Sequence, residues 1–232
     1  MRSRVIAIAG AKGSPGCSFL AVALGRCLAA SDIPTLLLDG DAEGGGLAAL
    51  LDLGPVTAEA HGADAADEPA MQVEPRLWFA ELAHGTADSF NGLDLAGAAR
   101  VQHQAVVVDL GHSSGPLQRQ LSAASDWLLW VIVPDRSGLE RANKALAAGV
   151  LGAASVGLVF NRIRSGSLNR ADEVLSSRHG MPVMARINED RRIADGLAVG
   201  RPIHRAWGIR RTLRDLARSV HPDAGPGSRA WR

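Results

Sequence analysis

Short, continuously apolar runs alternate with longer helix-like stretches along most of this 232-residue chain. Aliphatic and β-branched runs without polar alternation are typical of strands that are buried on both faces of a parallel sheet. The runs cover residues 4–9, 35–38, 77–81, 105–109, 128–133, 155–160 and 183–187. Their alternation with helices predicts βαβ units. We therefore predict an α/β fold with a single doubly wound, mostly parallel sheet flanked by helices.

Helix-like patterns fill the intervals between the predicted strands. They cover residues 18–30, 46–53, 92–101, 116–124, 138–148, 168–178, 191–199 and 205–220. Residues 54–75 are rich in alanine, aspartate, glutamate and proline, so we predict a long, mobile surface loop there. Residues 222–232 contain two prolines and two glycines and are predicted to be a disordered tail. The predicted domain therefore covers residues 1–221.

The composition excludes several classes of protein. Hydrophobic residues make up 47% of the chain and charged residues 21%, a balance typical of folded globular proteins rather than disordered ones. No apolar run approaches the roughly 18 residues that a membrane-spanning helix needs. The two cysteines, Cys17 and Cys27, make neither a disulfide framework nor a zinc-ligand pattern. The start of the chain, with Arg2 and Arg4 before VIAIAGA and then SPGC, resembles a short secretory or lipoprotein signal, but its apolar stretch is at the lower length limit and Lys12 follows at once. We therefore predict a buried first strand and a cytoplasmic protein without a membrane span.

The net charge of +1 hides an asymmetry along the chain. Residues 1–160 carry 10 basic and 17 acidic side chains, a net charge of −7. Residues 161–232 carry 15 basic and 7 acidic side chains, a net charge of +8. A solvated charged surface is the commonest explanation of such an imbalance. Contact with DNA or with an acidic protein is the functional alternative.

The predicted helix 205–220 is amphipathic. Its apolar residues lie largely along one side: Trp207, Ile209, Leu213, Leu216 and Val220. Its arginines lie elsewhere on the helix surface. A basic amphipathic helix binds membranes or DNA in some proteins, but more often it is the last helix of a domain. We expect this helix to pack on the core through its apolar stripe.

The turn after the first predicted strand is rich in glycine and leads directly into a helix, in the sequence VIAIAGAKGSPGCSFLAVALG. In such a turn, backbone N–H groups and the helix N-terminus converge on one place and bind a phosphate there. The Walker pattern G-x-x-x-x-G-K-[ST] aligns its last three positions with Gly16, Cys17 and Ser18. The hydroxyl that binds Mg²⁺ is thus present, but Cys17 replaces the phosphate lysine. The dinucleotide pattern G-x-G-x-x-G is not met.

Cys17 has three interpretations at this position. The commonest is a small apolar residue that faces the first helical turn. The second is a redox-sensitive thiol whose pKa is lowered by the helix N-terminus. The third and least favoured is a metal ligand, because no other cysteine or histidine lies at ligand spacing.

The landmarks along the chain together resemble those of the ParA/MinD group of deviant Walker ATPases. Lys12 occupies the second position of the glycine-rich turn, where that group carries its signature lysine. The segment LLLDGDAEGGGLAALLDL resembles the group's switch I and places Asp41 at the position of the water-orienting aspartate. The segment HQAVVVDLGHSSG resembles its Walker B strand and switch II, in which Asp109 would hold Mg²⁺ through a bound water.

Three further segments match the group in the same order. DWLLWVIVPDRSGLERANKAL resembles its next strand and helix, and GLVFNRIR resembles the strand whose asparagine, here Asn161, contacts the adenine edge. GMPVMARINEDRRIADGLAVGRPI follows its closing pattern, with Asn188 in place of a proline. The resemblance covers residues 4–220 and is strongest to the TadZ/CpaE branch. Many members of that branch carry an N-terminal receiver-like domain, which we expect to be absent or removed here.

The resemblance implies an atypical ATP-binding protein with ATP and Mg²⁺ as cofactors and with slow hydrolysis at best. The implied catalytic residues are Lys12 and Asp41. The implied nucleotide-binding residues are Gly13, Ser14, Gly16, Cys17, Ser18 and Asn161, and the implied Mg²⁺ residues are Ser18 and Asp109. The implied partners are a second copy of the chain, in a nucleotide-linked homodimer, and proteins of a Tad/Flp pilus, secretion or division apparatus. Recruitment to a pole, a septum or a membrane-bound complex would follow, and DNA partitioning is a further process in which the group acts.

A function from another class remains open because Cys17 replaces the phosphate lysine. The chain is then a nucleotide-independent scaffold, which keeps the fold and uses it for protein–protein interaction. Aspartates commonly end buried strands without any function, and Asn161 fits a turn equally well. Ligands bind at the carboxyl ends of strands in open α/β sheets, so we favour a functional role for Asp41 and Asp109 and a supporting role for Asp39.

Overall fold

A computed structural model describes residues 3–11, 15–41, 46–53, 70–82, 102–112, 115–149, 152–164, 170–198 and 207–224. Its centre is an eight-stranded sheet in the order β3-β4-β2-β5-β1-β6-β7-β8. The strands are β1 (Arg4–Gly10), β2 (Thr35–Asp39), β3 (Met71–Glu74), β4 (Leu77–Glu81), β5 (Ala105–Asp109), β6 (Trp127–Ile132), β7 (Ser155–Ile163) and β8 (Val183–Asn188). Only β3 is antiparallel to its neighbour among these strands, which confirms the predicted doubly wound, mostly parallel sheet.

The predicted helices are confirmed wherever the structure describes them, with small shifts at their ends. They are α1 (Cys17–Ala29), α2 (Gly46–Leu50), α3 (Pro116–Ala123), α4 (Arg136–Ala147), α5 (Ala171–His179), α6 (Arg191–Ala198) and α7 (Arg210–Val220). The helix predicted from residue 205 instead begins at Arg210, after a 3-10 turn over Trp207–Ile209, since Gly208 lowers helix propensity there. The helix predicted at 92–101 lies outside the described residues.

The prediction of one long loop over residues 54–75 is wrong at its end. Met71–Glu74 form β3, which pairs with β4 across the two-residue turn Pro75–Arg76. Arg76 adopts a φ of 63°, and such left-handed conformations are typical of tight hairpins. The buried Arg26 of α1 reinforces the hairpin, because its Nε donates a hydrogen bond to Glu74 Oε1 at 2.7 Å. Residues 54–69 lie outside the described part.

The two faces of the sheet are covered by different helices. One core contains buried side chains of α1 and α7, such as Leu20, Leu24 and Leu216. The other contains side chains of α3, α4 and α5. Strand residues alternate between the two cores, as the pleat of a sheet requires. Because α1 is buried along nearly its whole length, Gly16 and the first residues of α1 are held by a rigid element.

The last described helix behaves as expected from its apolar stripe. Leu213, Leu216 and Val220 of α7 are buried against the core, and α7 contacts α1 and β8. Ala224, within the segment 222–232 that we predict to be a tail, is also buried, while residues 225–232 lie outside the described part. Within the described residues, no helix is long and apolar enough to span a membrane.

Candidate functional site

The glycine-rich turn joins β1 to α1 at the carboxyl edge of the sheet. Gly16, directly before α1, has a φ of 95° and a ψ of 35°, in the left-handed region that favours glycine. A Cβ atom at Gly16 would lie 2.5 Å from Asn161 Nδ2, so space also requires glycine here. Lys12, Gly13 and Ser14, which we predict to contact a nucleotide, lie outside the described residues.

Asn161, near the end of β7, is hydrogen-bonded to the last part of the glycine-rich turn. Its Nδ2 donates a hydrogen bond to the Pro15 carbonyl at 2.7 Å, and its Oδ1 accepts one from the Arg162 N–H at 2.9 Å. The side chain is only 5% exposed. The sequence predicted either a base contact or a turn residue, and neither interpretation includes this connection. It depends on β7 and the turn after β1 meeting at one edge of the sheet.

Cys17 points into the protein. Its side chain is 4% exposed, and its thiol donates a hydrogen bond to the Gly111 carbonyl, with Sγ and O 3.5 Å apart. Burial, followed by the charges of Asp109 and Asp41, raises the pKa of the thiol well above its ordinary value. The interpretation of Cys17 as a thiol with a lowered pKa is therefore wrong, because burial and two neighbouring carboxylates raise that pKa. A neutral group occupies the position of the phosphate lysine.

Asp109 ends β5 and is completely buried. Its Oδ1 accepts a hydrogen bond from the Gly111 N–H at 2.9 Å, whereas its Oδ2 has no hydrogen-bond partner within the described part of the chain. Burial raises the pKa of Asp109, while hydrogen bonding from the Ser18 hydroxyl and from the Gly111 N–H lowers it. Buried carboxylate oxygens are nearly always partnered in folded proteins, so Oδ2 is suited to accept a hydrogen bond from a ligand.

Ser18 lies in the first turn of α1, close to both Asp109 and the start of α2. A Cβ atom at Gly46 would lie 2.8 Å from Ser18 Oγ, so a larger residue there would displace the Ser18 hydroxyl. The site thus brings together one hydroxyl and one buried carboxylate. No group of three or more His, Cys, Asp or Glu side chains that could hold a metal ion occurs among the residues the structure describes.

Asp39 organises the end of β2. It is 2% exposed and lies in register with Asp109 of the neighbouring strand. Its two carboxylate oxygens accept hydrogen bonds from the Asp41 N–H at 3.2 Å and the Leu47 N–H at 3.3 Å, which connects β2 to α2. Burial and then the charge of Asp109 raise the pKa of Asp39 to about 6, although these N–H groups lower it.

Gly111 is a position that the sequence analysis did not single out. Its φ is 58°, and a Cβ atom there would clash with the Asp41 carboxylate. Its carbonyl oxygen accepts hydrogen bonds from the Gly10 N–H, at 3.0 Å, and from the Cys17 thiol. Gly111 therefore connects the segment after β5 to the end of β1 and the start of α1. Its place two residues after Asp109 was the available signal.

An open cavity of about 300 Å³ lies beside the glycine-rich turn, at the lower end of the size range of small-molecule sites. Phe19, Ile187 and Ile193 provide apolar surfaces suited to a flat ring. Polar atoms come from side chains on the same lining, which are Asn161, Arg162, Asn188, Glu189 and Asp190. The closing segment, in which Asn188 replaces a proline, therefore forms one wall of the cavity.

The turn, the buried aspartate and the cavity all lie at the carboxyl ends of the strands, where doubly wound sheets bind their ligands. A glycine-rich turn at the start of a buried helix, with a serine of that helix beside a buried aspartate, defines a nucleotide-binding domain of the P-loop class. The chain belongs to the CobQ/CobB/MinD/ParA nucleotide binding domain family, whose profile matches residues 6–203. The ParA/MinD-type resemblance is thus confirmed. A comparison with curated protein sequences finds no match.

Solved structures with the same fold include several of this type. The MinD cell division protein of Aquifex aeolicus is 18% identical, with a TM-score of 0.76, and the alignment covers 98% of this chain and 100% of that one. The septum site-determining protein MinD of Pyrococcus horikoshii, complexed with Mg-ADP, is 21% identical, with a TM-score of 0.73 and coverage of 98% and 99%. A ParA family ATPase of Chlorobium tepidum is 19% identical, with a TM-score of 0.72 and coverage of 95% and 99%.

Proposed function

We propose that this protein binds ATP with Mg²⁺ at the glycine-rich turn. The observation that carries the proposal is Asp109 Oδ2, a buried oxygen beside Ser18 that has no partner within the described residues. Mg²⁺ is usually held by one or two protein oxygens together with substrate phosphates and waters, so this pair fits it. Ser18 Oγ would bind the ion directly and Asp109 would hold one of its waters. The ion would supply positive charge to the phosphates.

The other predicted residues take complementary roles in this proposal. The base would occupy the 300 Å³ cavity beside Asn161, and the N–H groups of Gly13, Ser14, Gly16, Cys17 and Ser18 would bind the phosphates. Asp41 would orient the attacking water, and Lys12 would contribute charge across a dimer interface. The similar protein from Pyrococcus horikoshii is complexed with Mg-ADP, which supports the same ligand here.

Hydrolysis should be slow because a neutral thiol replaces the phosphate lysine. An ammonium group about 4 Å from a phosphate oxygen contributes roughly 4 kcal/mol at an effective dielectric constant near 20. Pro15 also lacks an N–H, which removes one donor from the turn. We expect a turnover far below the roughly 10 per second of a typical enzyme.

The cellular role that we infer is positioning. ATP-bound subunits would form a homodimer that recruits protein partners at a pole, a septum or a pilus base. Proteins with this fold include a cell division protein of Aquifex aeolicus and a septum site-determining protein of Pyrococcus horikoshii, which supports a role of this kind. The pattern from Asp39 to Leu53 favours the TadZ/CpaE branch and hence a Tad/Flp pilus or secretion apparatus. The basic residues after 160 are the candidate surface for DNA.

The proposal is tested by calorimetry with ATP, with and without Mg²⁺, together with light scattering to measure the mass of the particle. The wild-type protein should bind ATP more tightly with Mg²⁺, and ATP should increase its mass. Ser18→Ala should remove the Mg²⁺-dependent part of the affinity. Ser31→Ala is the matched control, since the Ser31 hydroxyl bonds the Cys27 carbonyl at the far end of α1. Absence of ATP binding by the wild type at any Mg²⁺ concentration would refute the proposal.

The contact between Cys17 and Gly111 favours a second candidate function, a nucleotide-independent scaffold. Cys17 and Gly10 both donate hydrogen bonds to the Gly111 carbonyl, so the segment after β5 is already fixed against the turn by the protein itself. In such a scaffold the mass and the partner binding of the protein would be the same with and without ATP. The light-scattering arm of the same experiment distinguishes this function from the first.

A further inference from the structure

A positive charge from elsewhere in the same subunit would strengthen the binding of ATP phosphates at the glycine-rich turn, because Cys17 is neutral. The cavity beside the turn has a smaller neighbour of about 80 Å³, which is bordered by Pro15, Asp135, Arg141 and Arg162 among others. Within the described residues, only Arg141 and Arg162 bring cationic side chains to these two cavities. Arg162 alone lines both of them. It therefore lies where the two cavities adjoin, and Pro15 and Gly16 at the end of the turn line one cavity each.

The backbone at Arg162 is held in an unusual conformation. Its φ is 54°, in the left-handed region where side chains other than glycine are uncommon. The register between β7 and β8 shifts between Phe160 and Ile163, as in a bulge, and bulges often redirect a side chain next to a functional site. The Asn161 carboxamide accepts a hydrogen bond from the Arg162 N–H and donates one to the Pro15 carbonyl. One side chain thus fixes Arg162 and the turn relative to each other.

The charge of Arg162 is available for a ligand. The two acidic side chains on the same cavity lining bond other arginines: Glu189 accepts hydrogen bonds from Arg164 at 2.6 and 3.0 Å, and Asp190 accepts them from Arg192 at 3.1 and 3.0 Å. The charge of Arg162 is only a lesser cause of the lowered pKa of Glu189, after the hydrogen bond and the charge of Arg164. Within the described residues Arg162 forms no ion pair, and its side chain is exposed. Arg141 is a weaker candidate, since it lines only the smaller cavity and contacts the Ser137 hydroxyl.

We propose that Arg162 binds the phosphate chain of the nucleotide and supplies, from β7, the positive charge that the turn lacks at Cys17. The inference rests on the proposed ATP binding. A guanidinium presents several N–H donors in a fixed plane and matches phosphate oxygens better than a point charge does. The side chain reaches the turn from the neighbouring strand instead of from α1.

The test compares the affinities of ATP, ADP, AMP and adenosine for the wild type and for variants at Arg162. Arg162→Ala should weaken ATP binding by about tenfold or more, the effect of losing a hydrogen bond to a charged group. The loss should shrink from ATP to AMP and vanish for adenosine. Arg162→Lys should keep part of the preference for ATP. Arg162→Gly should lose as much ATP affinity as Arg162→Ala. It should unfold at a higher temperature than Arg162→Ala, because glycine adopts a φ of 54° without strain.

Arg170 offers a matched control, because it is also a left-handed arginine, with a φ of 64°, and its side chain pairs with Glu173 on the surface. Arg170→Ala should bind every ligand as the wild type does. If Arg162→Ala weakens adenosine and ATP by the same factor, or weakens neither, the inference is wrong while the proposed function stands. If the wild type binds no ATP, the proposed function fails and the inference fails with it.

Discussion

The carboxylates on the two sides of the site differ in burial, in their partners and in the direction of their pKa shifts. Asp39 and Asp109 are buried at the ends of β2 and β5, form no ion pair among the described residues, and have raised pKa values because of their burial. Glu189, beyond β8, is exposed, and its two carboxylate oxygens accept hydrogen bonds from Nε and Nη2 of Arg164. That hydrogen bonding lowers the pKa of Glu189. The negative charges of Asp39 and Asp109 are therefore disfavoured by burial, whereas the negative charge of Glu189 is stabilised by an arginine of the protein itself.

Buried carboxylates without a counter-charge are suited to binding a ligand, whereas exposed ion pairs are a common feature of protein surfaces. Buried carboxylates without a counter-charge reduce the stability of a fold unless a cation or a proton joins them. Exposed ion pairs contribute little and are common on any protein. Several arginines of the basic region after residue 160 are paired with acidic neighbours from the same region, as in Arg186–Asp172 and Arg192–Asp190. Much of that region is therefore an ordinary charged surface.

The largest expected effect concerns pH and Asp39. Its folded pKa of about 6 lies above the ordinary value of 3.8, so the folded protein binds this proton more tightly than the unfolded chain. The resulting stabilisation is complete below pH 3.8 and is lost as the pH rises through about 6. Relative to Asp39→Asn, the free energy of unfolding of the wild type should rise by about 2–3 kcal/mol from pH 7 to pH 4. Urea unfolding in the presence of a chelator measures it.

The charge of Asp109 is the second cause of this shift, so the two carboxylates titrate as a pair. Asp109→Asn should therefore lower the pH range over which the stabilisation by protonated Asp39 is lost. A difference between wild type and Asp39→Asn that stays constant from pH 7 to pH 4 would mean that Asp39 is solvated in solution.

The sequence predicts most of the sheet but little of the side-chain geometry at the site. Seven of the eight strands follow from apolar runs, because a buried strand must be apolar on both faces. β3 was missed because Met71–Glu74 is an edge strand with exposed residues in a polar, proline-containing stretch. Motif spacing located Ser18, Asp109 and Asn161 at one edge. The inward direction of Cys17 and the bond from Asn161 to Pro15 arise from contacts between residues far apart in the chain, which no local pattern records.

The second prediction concerns Asp109, whose effect on the stability of the protein should be opposite to its effect on ATP binding. Asp109→Asn should stabilise the protein without Mg²⁺ at pH 7.5, by about 1–2 kcal/mol, because it removes a buried charge whose Oδ2 lacks a donor among the described residues. The same variant should lose the Mg²⁺-dependent part of ATP binding. Chemical unfolding and calorimetry measure the two effects. Opposite changes in stability and ligand affinity are typical of functional sites.

Asp126 is the matched control for this second prediction. Its side chain is also largely buried, but its Oδ2 accepts a hydrogen bond from the Val5 N–H at 2.8 Å and it pairs with Arg4. Asp126→Asn should therefore destabilise the protein and leave the Mg²⁺ dependence unchanged. If both variants destabilise the protein to the same extent, Asp109 has a donor in solution and the contrast between partnered and unpartnered carboxylates fails.

The smallest expected effect concerns Glu189, the exposed member of the comparison. Because its pKa is lowered by the hydrogen bond from Arg164, any stability that it contributes is present above pH 4.5 and is lost as the pH falls through the folded pKa. This dependence has the opposite sign to that of Asp39. Water and salt screen an exposed pair, so Glu189→Gln should leave the free energy of unfolding at pH 7 unchanged within error. Urea unfolding at low and high salt checks this. A marked loss in the free energy of unfolding that does not depend on salt would show that the pair of Glu189 and Arg164 is protected from solvent, as Asp39 and Asp109 are.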